Sequence, residues 1–260
     1  MIGPTFALAV RLRARQTVLS AAGMAAVIVM VGALFPSVGD SIGKLDLPEG
    51  VASLLGGADY GTLVGWMRSE IGAVYGPLVV AATAITAAAA TTAGEEEDGV
   101  LGVVLAHPIP RTRLVLEKGA AVAVSVLGIA LGTWLGLLLG VAVAGGGIGF
   151  GKLVALAVHL AFFGLATGAI ALALAAATGR RAVASGGAAA VVVLGYLVNG
   201  FAPLVDSVEW LKYLSLFHYY EGHDPLSAGI DIGDLAVLAA VTLVLTAVAV
   251  AGFKRWDLRG

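Results

Sequence analysis

The 260-residue chain has no cysteine, and only 12% of its residues are charged. The first absence rules out disulfides and thiolate metal sites. The second sets the chain apart from soluble domains, which carry about twice that share of charge. The charge that is present is unevenly spread. Six stretches, about 17–35, 71–93, 119–144, 153–177, 186–204 and 235–252, contain no Asp, Glu, Lys or Arg. Each is about the length that crosses 30 Å of hydrocarbon as a helix. The first follows Arg11, Arg13 and Arg15 but is longer than a signal-peptide core, and no clear A-x-A site follows it. It is read as a retained span.

Familiar ligand motifs are missing as well. No H-E-x-x-H occurs, and His218 and His223 are about 140° apart around a helix, so no metal site is expected. His159 stands alone in the fourth span and is read as a hydrogen-bonded packing residue. The stretch Gly39-Asp-Ser-Ile-Gly43-Lys44-Leu45 has one residue too few for a phosphate loop, and Leu45 stands where a hydroxyl should hold Mg²⁺. Spans without acids, Lys or Arg also argue against proton- or sodium-coupled carriers and against intramembrane enzymes, because such groups remain in membranes where they act. No ring of charges suggests a channel. If this protein moves a solute uphill, the energy must enter from another molecule.

With the N-terminus inside, eleven of the fifteen Lys and Arg fall on the inner side, so the positive-inside rule places both termini in the cytoplasm. Residues 1–16 repeat Ile2, Phe6 and Val10 at four-residue spacing ahead of the arginines, the pattern of a short interfacial helix; a frayed basic tail is the alternative. In the third span Gly128, Gly132, Gly136 and Gly140 form a small-residue ridge for helix packing, and Gly164 and Gly168 repeat the theme in the fourth. Asn199 is read as an interhelical hydrogen bond or a ligand contact.

The inner loop 94–118 has its own structure. Glu95, Glu96, Glu97 and Asp98 lead it, and Asp98 could cap a helix beginning at Gly99. Val100, Leu101, Val104 and Leu105 make one apolar face, and Pro108 and Pro110 end it before Arg111 and Arg113. A helix of two turns is unstable alone. Its acids suit a basic groove on a protein better than a lipid surface.

The run EEEDGVLGVVLAHPIPRTRLVLEK resembles the signature of type-2 ATP-binding-cassette permeases, and WLKYLSLFHYYEGHDPLSAG is similar to that family's outer aromatic segment. Ser215-Leu216-Phe217 stands where the family usually has Ser-Pro-Phe. The resemblance implies a half-transporter that is not an enzyme by itself. It would pair with a second permease, identical or different, and with two cytoplasmic ATPase subunits carrying ATP and Mg. No cofactor would reside in this chain, and no nucleic acid is involved. The resemblance assigns ATPase coupling to Glu95, Glu96, Glu97, Asp98, Gly99, Leu101, Leu105, Pro108 and Arg111. It places the substrate path at Thr83, Thr86, Asn199 and Phe201.

The expected fold is therefore all-α, one permease domain over 1–260. It comprises an interfacial helix at 1–16, six spans, a coupling helix in 94–118 and a re-entrant or interfacial outer segment at 205–233. In that segment Trp210, Tyr213, Leu214, Phe217 and Tyr220 recur at helical spacing. The expected function is export of an amphipathic or hydrophobic substrate (drug, antibiotic, peptide or lipid) across a prokaryotic plasma membrane. The alternative is a non-transporting scaffold or sensor that recruits a partner through loop 94–118.

Overall fold

The computed structural model describes residues 3–42, 48–54, 60–99 and 109–254, which contain helices and no strand. The elements are α1 (Pro4–Ile42), α2 (Glu49–Leu54), α3 (Leu63–Glu97), α4 (Arg111–Val143), α5 (Phe150–Thr178), α6 (Arg181–Phe201), α7 (Leu216–Glu221) and α8 (Ile232–Lys254). Six of them, α1, α3, α4, α5, α6 and α8, are long and apolar enough to cross a membrane. The chain is a multi-pass membrane protein.

Residues 4–16 are not a separate interfacial helix. They are the first turns of α1, which runs unbroken for 39 residues, about 58 Å at 1.5 Å per residue. No Gly or Pro interrupts the chain between Thr5 and Ala22, so nothing separates the basic turns from the apolar ones. The helix start is also fastened. Thr5 Oγ1 and the Phe6 amide (3.2 Å) both donate to the Glu117 carboxylate, which caps α1 from another helix and is held by Arg113 at 2.7 Å. A carboxylate at a helix N-terminus satisfies free amides and complements the dipole.

α4 lies parallel to α1, and the glycine ridge is their seam. A Cβ at Gly132 would stand 2.7 Å from the Ala21 carbonyl oxygen; at Gly136, 2.7 Å from Ala25 Cα; at Gly140, 2.7 Å from the Ile28 carbonyl oxygen. At Gly128 it would meet only the Thr17 methyl, at 2.8 Å. Backbone meets backbone here, as small residues permit.

α5 is the hub, packed on α3, α4, α6 and α8. Its most apolar window is 72% buried, against 11% for α6 and for α8, so the last two present most of their surface outward. Gly179 ends α5 in the left-handed region (φ 59°), and α6 starts two residues later.

α3 is irregular where sequence periodicity gives no warning. Pro77 has no N–H and its ring crowds the carbonyl four residues back, and the turns just before it, Arg68–Tyr75, are wound as a π-helix. A second π turn spans Ala90–Gly94. Such wide turns leave carbonyls free for other partners.

Candidate functional site

Two places bring chemistry-bearing side chains together. The first lies at the end of the bundle where α1 starts and α8 ends, and where Arg111 Nη1 donates to the Phe253 carbonyl at 3.4 Å. Here Glu95, Glu96 and Glu97 form the last turn of α3. The helix expected after Asp98 lies outside the described residues, and Asp98 itself stands at the end of α3. Its amide bonds back to the Gly94 carbonyl at 2.9 Å, and Gly99, with φ +72°, closes the helix that came before. The acids stop α3 because its π turn carries the helix past Thr91 and Thr92, where the apolar run ends.

Acids at a helix C-terminus oppose its dipole, and Glu95 and Glu97 find compensation elsewhere. Lys118 of α4, 3% exposed, pairs with Glu95 and donates to the Thr91 carbonyl at 2.9 Å. Glu97 accepts the Arg181 amide at 2.9 Å, capping α6. Glu96 has Oε1 buried with no hydrogen-bond partner, and Asp98 is exposed. Leu101, Leu105 and Pro108 lie outside the described residues. The loop that contains them therefore hangs from two fixed posts, the α3 end and the α4 start.

The second place is at the opposite end. Ala73, Pro77 and Leu78 of α3, Val192 and Tyr196 of α6, and Phe217 of α7 line an apolar cavity of about 180 Å³ at the π-wound, proline-marked part of α3. Phe217 stacks edge-on to Phe163 (4.8 Å) and Tyr196 (5.3 Å). Tyr220 donates to the Gly72 carbonyl within the π turn at 2.8 Å. Thr83, Thr86, Asn199 and Phe201 do not line this cavity. Thr86 satisfies its hydroxyl on the Ala82 carbonyl, and Phe201 lies over Gly50.

Asn199 instead makes an interhelical bond, donating through Nδ2 to Glu221 at 3.2 Å. Glu221 is 7% exposed, and its Oε2 is buried without a hydrogen-bond partner. Arg68 and Asp224 form an ion pair at 3.0 Å close enough for both charges to act on Glu221. Burial pushes the Glu221 carboxyl up to about 7. Neither Arg68 nor Glu221 stands out in the sequence, where Arg68 reads only as an outer charge and Glu221 as part of the outer aromatic segment.

A pH effect follows. A carboxyl whose folded value lies above its ordinary 4.5 adds stability that is complete below about pH 4.5. That stability is lost as pH rises through 7, a change of about 3 kcal/mol. Glu221→Gln keeps an acceptor for Asn199 and cannot ionise. It is expected to melt higher than wild type at pH 8 and to show a flatter stability profile between pH 5 and 8. Equal profiles by circular dichroism would refute the assignment.

The expected helix over the outer aromatics is two pieces. A 3₁₀ segment, Glu209–Leu214, leaves Trp210, Tyr213 and Leu214 exposed; Ser215 turns extended and caps α7, which buries Phe217 and Tyr220. The Ser215 hydroxyl accepts the Phe217 amide and donates to the Gly195 carbonyl, so the break is fixed by both. Beyond α7 the chain is turns, and His223, Asp231 and Asp234 come together with donor atoms within 4.8 Å of one another. Testing histidines for a shared helix face could not reveal that grouping.

A family model described as the C-terminal domain of the multidrug efflux system permease Rv1217c matches residues 2–254. None of the curated proteins compared with the chain matches it.

Proposed function

Because the chain belongs to the family of this multidrug efflux permease domain, we propose that it is the membrane subunit of a type-2 ATP-binding-cassette exporter. It works as a homo- or heterodimer with two cytoplasmic ATPase subunits that bind ATP and Mg. Both termini face the cytoplasm of a cell membrane. Loop 94–118 seats on the ATPase, and the cargo is an amphipathic or hydrophobic molecule that passes between α3 and α6 and leaves at the opposite face.

The observation that carries this reading is the fastening of the acidic turn. Lys118 with Glu95, and the Arg181 amide with Glu97, tie the loop rigidly to α3, α4 and α6, while Asp98 stays exposed. A push on the loop would travel directly into the helices that border the α3–α6 cavity. The apolar lining of that cavity, closed at one side by Phe217 and Tyr196, suits an uncharged or amphipathic guest. The poor coverage of α6 within one chain supports a partner permease there.

Asp98→Arg combined with Leu101→Asp reverses the charge and removes the apolar character of the loop segment. An ATP-hydrolysing subunit is expected to co-purify from native membranes with the wild-type chain, and to be lost from the variant without a change in its melting temperature. If neither form brings down an ATPase, the exporter reading fails.

A further inference from the structure

The segment between α7 and α8 carries a donor set that transport does not use. His223 follows α7 by two residues. Asp231 caps α8, accepting the Asp234 amide at 2.9 Å, and Asp234 in the first turn is 6% exposed. His223 Nδ1 and Asp234 Oδ2 are 2.6 Å apart, and donor atoms of all three residues lie within 4.8 Å of one another.

A second observation comes from α5. His159 is 1% exposed; its Nδ1 bonds the Ala155 carbonyl at 2.9 Å, and its Nε2 is buried with no hydrogen-bond partner. The packing of α8 on α5 sets the level of His159 along the bundle. The two helices run parallel, and a Cβ on Gly252 would stand 3.9 Å from Ala177 Cα. Five full turns are 18 residues. Counted back from Gly252 they reach Asp234, and from Ala177 they reach His159. Both residues thus stand at the same level of the α5–α8 seam, with His159 outside the 4.8 Å group of donors.

We propose that His223, Asp231 and Asp234 bind a divalent transition-metal ion of the zinc type, with His159 Nε2 as the donor beneath them. Two imidazoles and two carboxylates suit such ions better than Ca²⁺ or Mg²⁺, which prefer all-oxygen shells. Donors at about 2.1 Å from a tetrahedral ion stand roughly 3.4 Å apart. Reaching that spacing requires small side-chain rotations, and the His223 ring, 59% exposed, is free to swing. The ion would replace the proton shared by His223 and Asp234. It would also pin the turn after α7 to α8 and α5, restraining the segment beside the α3–α6 cavity.

The test uses the full chain without a polyhistidine tag, purified in detergent and titrated with Zn²⁺, with Co²⁺ as a spectroscopic probe. One equivalent is expected to bind at micromolar or tighter concentration, raise the melting temperature, and give the visible absorption of four-coordinate Co²⁺. His223→Ala should weaken binding at least tenfold, a loss at the lower end of what even outer-shell changes produce. Asp231→Asn retains the helix cap, because Asn caps as well as Asp, yet it should also weaken binding. Asp206→Asn, a remote acid, should leave binding unchanged. Absence of saturable binding up to 100 μM, about a hundred times the expected constant, overturns the proposal. So does binding that survives both His223→Ala and Asp231→Asn.

Discussion

Leucine at Gly132 is expected to part α1 from α4 and yield a chain that does not remain folded after extraction. The obstacle is backbone. A Cβ there would lie 2.7 Å from the Ala21 carbonyl oxygen and 2.9 Å from Ala21 Cα, with the Ala21 methyl at 2.8 Å. No rotamer relieves such a contact, so the helices must separate. Overpacking costs typically about 1–3 kcal/mol when side chains can shift, and here they cannot, so the loss should exceed that range. Against a total stability of about 5–15 kcal/mol, this is a large fraction. Gly128→Ala is the graded comparison, because its neighbour is the end of Thr17, a side chain able to move. Gly149→Ala, with nothing within 4 Å, is the neutral one. Without cysteines, thiol-reactive dyes cannot report unfolding, so the four tryptophans serve. Melting of Gly132→Leu within about 2 °C of wild type, a shift worth no more than about 1 kcal/mol for a chain this long, would show that α1 is held elsewhere.

The six spans were legible because charge is excluded from hydrocarbon, and that exclusion is written residue by residue. Their ends were not. α4 starts at Arg111, eight residues before its apolar run, because Pro110 sets the start and the Arg113–Glu117 pair supports the first turns. The acids of 95–98 are legible as special, but not that Glu95–Glu97 continue α3. Composition locates a charge run, whereas only the φ of Gly99 and the π turn at Ala90–Gly94 reveal that α3 continues into it. The Gly128–Gly140 ridge was legible as a packing face, but its partner α1 was not. At the far end, Arg68 meets Asp224 across 156 residues, and Asn199 meets Glu221 across a break that Ser215 creates. Pairings of that kind depend on how the segment after α6 folds back, which no local period encodes.

The second large effect concerns Lys118 and Glu95, and it is asymmetric. The Lys118 side chain is 4% exposed and that of Glu95 is 30% exposed. Glu95→Ala leaves a buried ammonium with the Thr91 carbonyl as its remaining acceptor among the described residues and with the Arg13 charge still acting on it. Removing one partner of a buried pair costs about 3–5 kcal/mol, because the surviving charge stays desolvated. Lys118→Met leaves a carboxylate that water can reach, and Met fills the buried volume, so the loss should be nearer 1 kcal/mol. The double variant should recover most of what Glu95→Ala loses, giving a coupling energy well above the few tenths expected of independent sites. Unfolding of all four proteins by tryptophan fluorescence checks the cycle. Equal losses for the two single variants would mean that the pair is hydrated and does not fasten the loop. In the proposed exporter, Lys118→Met separates two roles: the chain should fold and still bring down the proposed ATPase, yet hydrolysis should respond less to cargo, because the post that holds the loop to α4 is gone. Full cargo response in that variant would place the mechanical link at Glu97 and α6 instead.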